Sequence, residues 1–180
     1  MRRMEITEIR DGLLRIFRTD SIDDLGKYMM KDVLSHNEKT MSAVIELFGG
    51  DLSTDYLQGV WQYYQADREV KKQDFTPQTL ALLMGRLVEK EEEVIDLCAG
   101  SGSLAIQAWC HDPNKRFTCY ELDENVIQYL LFNLTIRNMS AKVIVGDALQ
   151  NTKTAEYYVT PSVRFSEVKY IDQSTIESAI

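Results

Sequence analysis

Apolar residues recur at helical spacing through the first third of the chain and then give way to short unbroken runs. Ile6, Ile9, Leu13, Ile16 and Phe17 make one stripe at three- and four-residue intervals, which predicts an amphipathic helix. Ser21, with Asp24 three residues on, is a capping-box-like start for a second helix through Leu25, Tyr28, Met29 and Val33. A third is expected from Met41 to Phe48, stopped by Gly49-Gly50. A fourth is expected from Ser53 to Ala66, with Tyr56, Leu57, Val60, Trp61 and Tyr64 on or near one side. Aromatic stripes of this kind usually face inward, although Trp61, Tyr63 and Tyr64 also have the flat faces needed to stack on nucleic-acid bases. Thr76 as N-cap and Pro77 in the first turn predict a fifth helix, whose apolar face is Leu80, Leu83, Met84 and Leu87.

From there the period changes. Val94-Ile95-Asp96, Phe117 to Glu121 and Val143-Ile144-Val145 are short apolar runs bounded by turn residues, and read as buried strands separated by helical stretches. Two more strands are expected within 157–165 and 167–172. Strands alternating with helices predict an α/β fold around a parallel sheet. Lys71-Lys72 marks the junction, giving a helical amino-terminal segment over 1–72 and a Rossmann-like domain over 73–180. That remainder is short for a seven-stranded core. The sheet is therefore expected to be truncated after its third to fifth strand, or completed by another chain in a homo- or hetero-oligomer, because an exposed edge invites pairing.

The chemistry concentrates on the first of these strands. Asp96 is followed by Ala99-Gly100-Ser101-Gly102-Ser103, a turn whose glycines let the backbone bend sharply and approach a ligand. The next helix presents unpaired N–H groups to that ligand. Gly100 to Ala105 also fits the dinucleotide fingerprint G-x-G-x-x-G/A, so a nicotinamide cofactor competes with S-adenosylmethionine. The acids favour the latter. Asp96 would repel a pyrophosphate and accept a bond from an ammonium group. Glu121, at the end of the second strand, suits a ribose diol, and Asp147, after the third, suits an adenine amino group. They are spaced 25 and 26 residues apart, each about one strand-helix unit, so all three can converge beyond the carboxyl ends of the strands where strand order reverses.

Phe75-Thr76-Pro77, then Asp96-Leu-Cys-Ala-Gly-Ser-Gly, then Glu121, then Gly146-Asp147 resembles the amino-terminal half of the N6-adenine DNA methylases, and among them the modification subunits of type I restriction-modification systems. The resemblance covers roughly residues 70 to 150. It implies an S-adenosylmethionine-dependent methyltransferase core, with the cofactor held by Phe75, Thr76, Pro77, Asp96, Ala99, Gly100, Gly102, Glu121 and Asp147. It also marks a departure. Members carry an Asn/Asp/Ser-Pro-Pro-aromatic loop after the fourth strand, which receives an extruded base. This sequence has three prolines, Pro77, Pro113 and Pro161, and no adjacent pair. Tyr157 to Val163 offers a strand and turn at about the right position, with Thr160-Pro161-Ser162 as a stand-in, but no catalytic residue is assigned. Two other readings stay open: a cofactor-binding but catalytically incomplete interaction or regulatory module, and a methyltransferase for a small molecule or protein.

Composition narrows the setting. With 44% hydrophobic and 27% charged residues the chain has enough apolar side chains for a core. No run of eighteen apolar residues and no signal-like start occur, so neither a membrane span nor secretion is expected, and the location expected is cytoplasmic. Cys98, Cys110 and Cys119 read as free thiols, and Cys110-His111 with His36 does not have metal-ligand spacing. A formal net charge of -8 argues against autonomous DNA binding, since neutralising phosphates dominates affinity. Small basic groups at Arg2-Arg3-Arg10 and Arg68-Lys71-Lys72, or a partner subunit, would have to supply those contacts.

Overall fold

In the computed structural model, which describes residues 5–66 and 76–172, the amino-terminal stripes become four packed helices. Helix α1 (Ile6–Phe17) buries Ile9, Gly12, Leu13 and Phe17, and Glu5 with Glu8 forms a capping box at its start. Helix α2 (Leu25–Leu34) begins after Asp24, not after Ser21, because residues 22–24 first make a turn and the Ser21 N–H donates to Thr19 Oγ1. Helix α3 (Glu38–Leu47) starts earlier than its stripe predicts, since the Asn37 side chain caps it by accepting from the Thr40 N–H. Gly49 and Gly50 end it at φ 65° and 77°, as their positions in the sequence predict. Helix α4 (Tyr56–Tyr64) is shorter than expected at both ends, with Asp55 as its cap through the Gln58 N–H. Its stripe is divided. Trp61 is buried and packs on Tyr129 with ring centroids 5.1 Å apart, whereas Tyr63 is 70% exposed.

Helix α5 (Gln78–Leu87) departs most from expectation. Its N-cap is Pro77, one residue later than predicted. Ala81 and Gly85 are its buried residues, and Leu80, Leu83, Met84 and Leu87 are all exposed. The cause is backbone contact with helix α6 (Ser103–His111): a Cβ at Gly85 would lie 2.9 Å from the Gln107 carbonyl. Two helices this close admit only small residues between them, so the leucines turn outward.

Strands β1 (Glu93–Asp96), β2 (Arg116–Glu121) and β3 (Ser140–Val145) are parallel neighbours; β4 (Ala155–Thr160) and β5 (Glu167–Asp172) continue the sheet as antiparallel strands. The order along the sheet is β1-β2-β3-β4-β5. The reversal of strand order expected beside the ligand is therefore absent among the described residues, and β1 has one neighbour there. The chain leaves β3 outward and folds back beside it as a hairpin.

Register places Val94, Phe117, Cys119, Ala141, Val143 and Val159 on one face. Helix α7 (Glu124–Ile136), almost wholly buried, fills the space between that face and α2, α3 and α4. Phe17 meets Phe132 edge to face at 5.6 Å, so the helical segment and the sheet share one apolar core. On the other face Ile95 is 67% exposed, and Lys142 pairs with Glu156 at 3.0 Å. Buried Lys115 donates to the Glu89 carbonyl at 2.8 Å and to that of Glu91, which fixes the turn leading into β1. No described helix is long and apolar enough to cross a membrane.

Candidate active site

Three acids stand at the carboxyl ends of adjacent parallel strands: Asp96 ends β1, Glu121 ends β2, and Asp147 lies just beyond β3. They converge on Cys98. Its thiol is pushed up by partial burial and by the charges of Glu121, Asp96 and Asp147 together.

Glu121 builds the loop between them. One of its oxygens accepts from the Gly100 N–H at 2.8 Å and the other from the Asp123 N–H at 2.8 Å. The Ala99 N–H donates to the Tyr120 carbonyl at 2.9 Å, and Ala99 itself is buried. Gly100 (φ 55°) and Gly102 (φ 97°) are both left-handed, and Gly102 is the N-cap of α6. A Cβ at Gly102 would sit 2.8 Å from Leu130 Cδ1, so this glycine is required by packing against α7 as well as by its left-handed backbone.

Asp96 is the unbalanced member. Its Oδ1 accepts from the Cys98 N–H at 3.2 Å, while its Oδ2 is buried with no partner among the described residues. Burial pushes its carboxyl above the ordinary range, the Cys98 N–H opposes this, and the Glu121 charge adds to it. An oxygen of this kind lacks a donor, and a cationic donor would suit it best.

Asp147 caps its own turn, accepting through Oδ1 from the Leu149 N–H at 2.8 Å and the Gln150 N–H at 3.1 Å. The turn depends on Gly146, at φ 156°, where a Cβ would fall 2.0 Å from the Thr152 carbonyl oxygen. Gly146→Ala is expected to destabilise the protein by about 2–4 kcal/mol, from backbone strain plus overlap. Thermal unfolding checks this, and a parental midpoint would show that the turn does not need glycine.

Thr76 and Pro77 lie elsewhere. They line a cleft of about 750 Å³ with Asp55, Gln58, Ser103 and Gln107, on the α5–α6 side of the glycine loop, and none of the three acids lines it. Gln58 Nε2 donates to the Thr76 carbonyl at 3.1 Å and so ties that corner to α4. Phe75 lies outside the described residues, as do Arg2, Arg3, Arg68, Lys71 and Lys72. Arg10 is paired with Asp11 and sits over the Tyr64 ring.

Thr160-Pro161-Ser162 is displaced from the acids altogether. Because β4 runs antiparallel to β3, this turn falls beside the start of β3, where Ser162 and Asn138 exchange two hydrogen bonds of 2.9 Å. The length of β3 separates it from Asp147, about 16 Å at about 3.3 Å per residue. It is a strand and turn, as expected, but at the wrong end of the sheet to receive a base.

Sequence reading missed the polar network behind the loop. Asp55 accepts from Ser101 Oγ and Ser103 Oγ, each at 2.7 Å, and from Asn133 Nδ2 at 2.9 Å. Arg137, buried and with its pKa lowered by that burial to about 10 against the pull of Asp55, donates to Asn133 and to the Leu52 and Thr54 carbonyls. Asp55 ahead of an apolar stripe was a legible N-cap signal; nothing local in the sequence links it to Ser101.

No curated protein matches the chain. A family model described as Methyltransferase small domain matches residues 71–160. That span runs from ahead of α5 to the end of β4 and contains the left-handed loop and all three strand-end acids, and the chain belongs to this methyltransferase family.

Proposed function

We propose that this chain is the cofactor-binding portion of an S-adenosylmethionine-dependent DNA adenine-N6 methyltransferase, similar to the modification subunits of type I restriction-modification systems. S-Adenosylmethionine is the usual methyl donor of methyltransferases, and when bound it supplies an electrophilic methyl group on a sulfonium. The buried Oδ2 of Asp96, without a partner among the described residues, carries the reading. An ammonium group gives it the donor it lacks, whereas a pyrophosphate would meet two carboxylates, Asp96 and Glu121. Each Glu121 oxygen accepts one backbone N–H and keeps capacity for a ribose hydroxyl. Asp147 Oδ2 has no partner among the described residues and suits an adenine amino group. Ala99, Gly100 and Gly102 bring backbone to the ligand, while Thr76 and Pro77 line the neighbouring cleft and not the space between the acids.

The methyl acceptor is held by other segments or subunits. The Thr160-Pro161-Ser162 turn is remote from the acids, and the charge of -8 leaves DNA contacts to a partner. The edge of β1, unpaired among the described residues and flanked by exposed Ile95 and Leu97, takes a further parallel strand from that partner, which adds chain directly beside Asp96.

Calorimetry with S-adenosylhomocysteine and NADH tests the cofactor. S-Adenosylhomocysteine is expected to bind with a micromolar dissociation constant, about -8 kcal/mol, and NADH not at all. Binding of NADH alone would sink the reading.

A further inference from the structure

The glycine loop is clamped by two carboxylates, one from the sheet and one from the helical segment. Glu121 takes the Gly100 N–H; Asp55, at the start of α4, takes the hydroxyls of Ser101 and Ser103. We propose that Asp55 is a positioning residue, which sets ligand affinity by holding the loop in its binding shape without touching the ligand. This rests on the reading of the loop as the S-adenosylmethionine site.

Asp55 is built for that task. Its Oδ2 serves the loop alone, and its Oδ1 is anchored by the Gln58 N–H and Asn133 Nδ2, both at 2.9 Å. Asn133 is fully buried and also donates to the Ser101 carbonyl at 2.9 Å, while Arg137 orients it by donating to its Oδ1 at 2.8 Å. Ser101 is thus held at both its hydroxyl and its carbonyl. Between the clamps lie Gly100 and Gly102, the residues with most conformational freedom to lose. A loop already in its binding shape spares the ligand the free energy of ordering it, which appears directly as affinity. The same contacts make the helical segment part of the binding apparatus.

The test uses the full chain and S-adenosylhomocysteine. Ser101→Ala with Ser103→Ala removes the loop's hold while leaving Asp55 bonded to Gln58 and Asn133, so α4 keeps its cap. This pair is expected to lower affinity about tenfold with the secondary structure at the binding temperature unchanged by circular dichroism, the thermal midpoint falling modestly because Asp55 Oδ2 loses both donors. Ser103→Thr, which keeps a hydroxyl, should retain parental affinity where Ser103→Ala loses part of it. Adding Asp55→Asn to the serine pair, which keeps an acceptor for Gln58 and Asn133, should cost little more affinity, because at the loop both changes remove the same interaction. Parental affinity in the serine pair would overturn the proposal. If the parent binds no S-adenosylhomocysteine, the cofactor reading fails and amide exchange decides this one. Faster exchange confined to Gly100–Ser103 in the serine pair supports clamping, and unchanged exchange overturns it.

Discussion

Incubated alone with labelled S-adenosylmethionine and unmethylated duplex DNA, the 180-residue chain is expected to transfer methyl groups at least about a thousandfold more slowly than together with the partner proposed above. Methyl transfer to an adenine amino group needs the nitrogen in line with the sulfonium. Orientation of that quality is worth roughly 7–11 kcal/mol in well-ordered cases. The described residues contain the acids and the glycine loop but no element at the carboxyl end of the sheet suited to hold a flipped base. The β4–β5 turn sits at the opposite end, fastened to Asn138. Acidic balance weakens DNA capture as well. On the proposed function, extract from the source cell should restore transfer by supplying a base-holding element. Sequence-specific adenine methylation by the isolated chain at a full rate would show that this polypeptide holds the base by itself.

Replacing Asp96 by asparagine is expected to separate binding from stability in opposite directions. Removing one partner of a buried charged pair typically costs 2–5 kcal/mol, so affinity for S-adenosylhomocysteine should fall at least about thirtyfold. The free protein should gain. The new side-chain carbonyl can still accept from the Cys98 N–H, and the change removes a buried carboxylate whose Oδ2 has no partner among the described residues. The sign follows from the raised carboxyl of Asp96. The folded protein holds that proton more tightly than the unfolded chain, so stability is fullest at acid pH. It declines as pH rises from the ordinary carboxylate range through the raised folded value. Asp96→Asn should therefore match the parent near pH 4 and exceed it near pH 7.5 in thermal unfolding. Ligand affinity of the parent should in turn weaken on acidification, as Asp96 takes up its proton. Undiminished affinity in the variant would remove Asp96 from the binding site.

What the sequence made legible is what is encoded locally. Strand-end acids one strand-helix unit apart identified the ends of β1, β2 and β3, and Gly49-Gly50 and the glycine loop marked turns that the backbone makes at positive φ. The α5 face was misread because periodicity ranks residues by hydrophobicity. Helices that touch backbone to backbone select for smallness, and so Ala81 and Gly85 face inward and four larger residues do not. The sheet order was equally hidden. Tyr157 to Thr160 reads as a strand whichever edge it joins, and its antiparallel return beside β3 is a tertiary choice. Asp55 was not singled out: the fourth helix was expected from Ser53, and nothing local links residue 55 to a loop far along the chain.

That last distance has a consequence for how the protein is made. The bonds from Asp55 to Ser101, Ser103 and Asn133 close loops of 46, 48 and 78 residues, and those from Arg137 to Thr54 and Leu52 close 83 and 85. Contacts so remote form late, because the chain between them must collapse first. During synthesis α4 emerges with the Leu52 and Thr54 carbonyls still awaiting a guanidinium some eighty residues from being translated. A nascent or half-folded chain carries its glycine loop but not the shape of it. The shape of the glycine loop is thereby tied to the packing of the helical segment against α6 and α7.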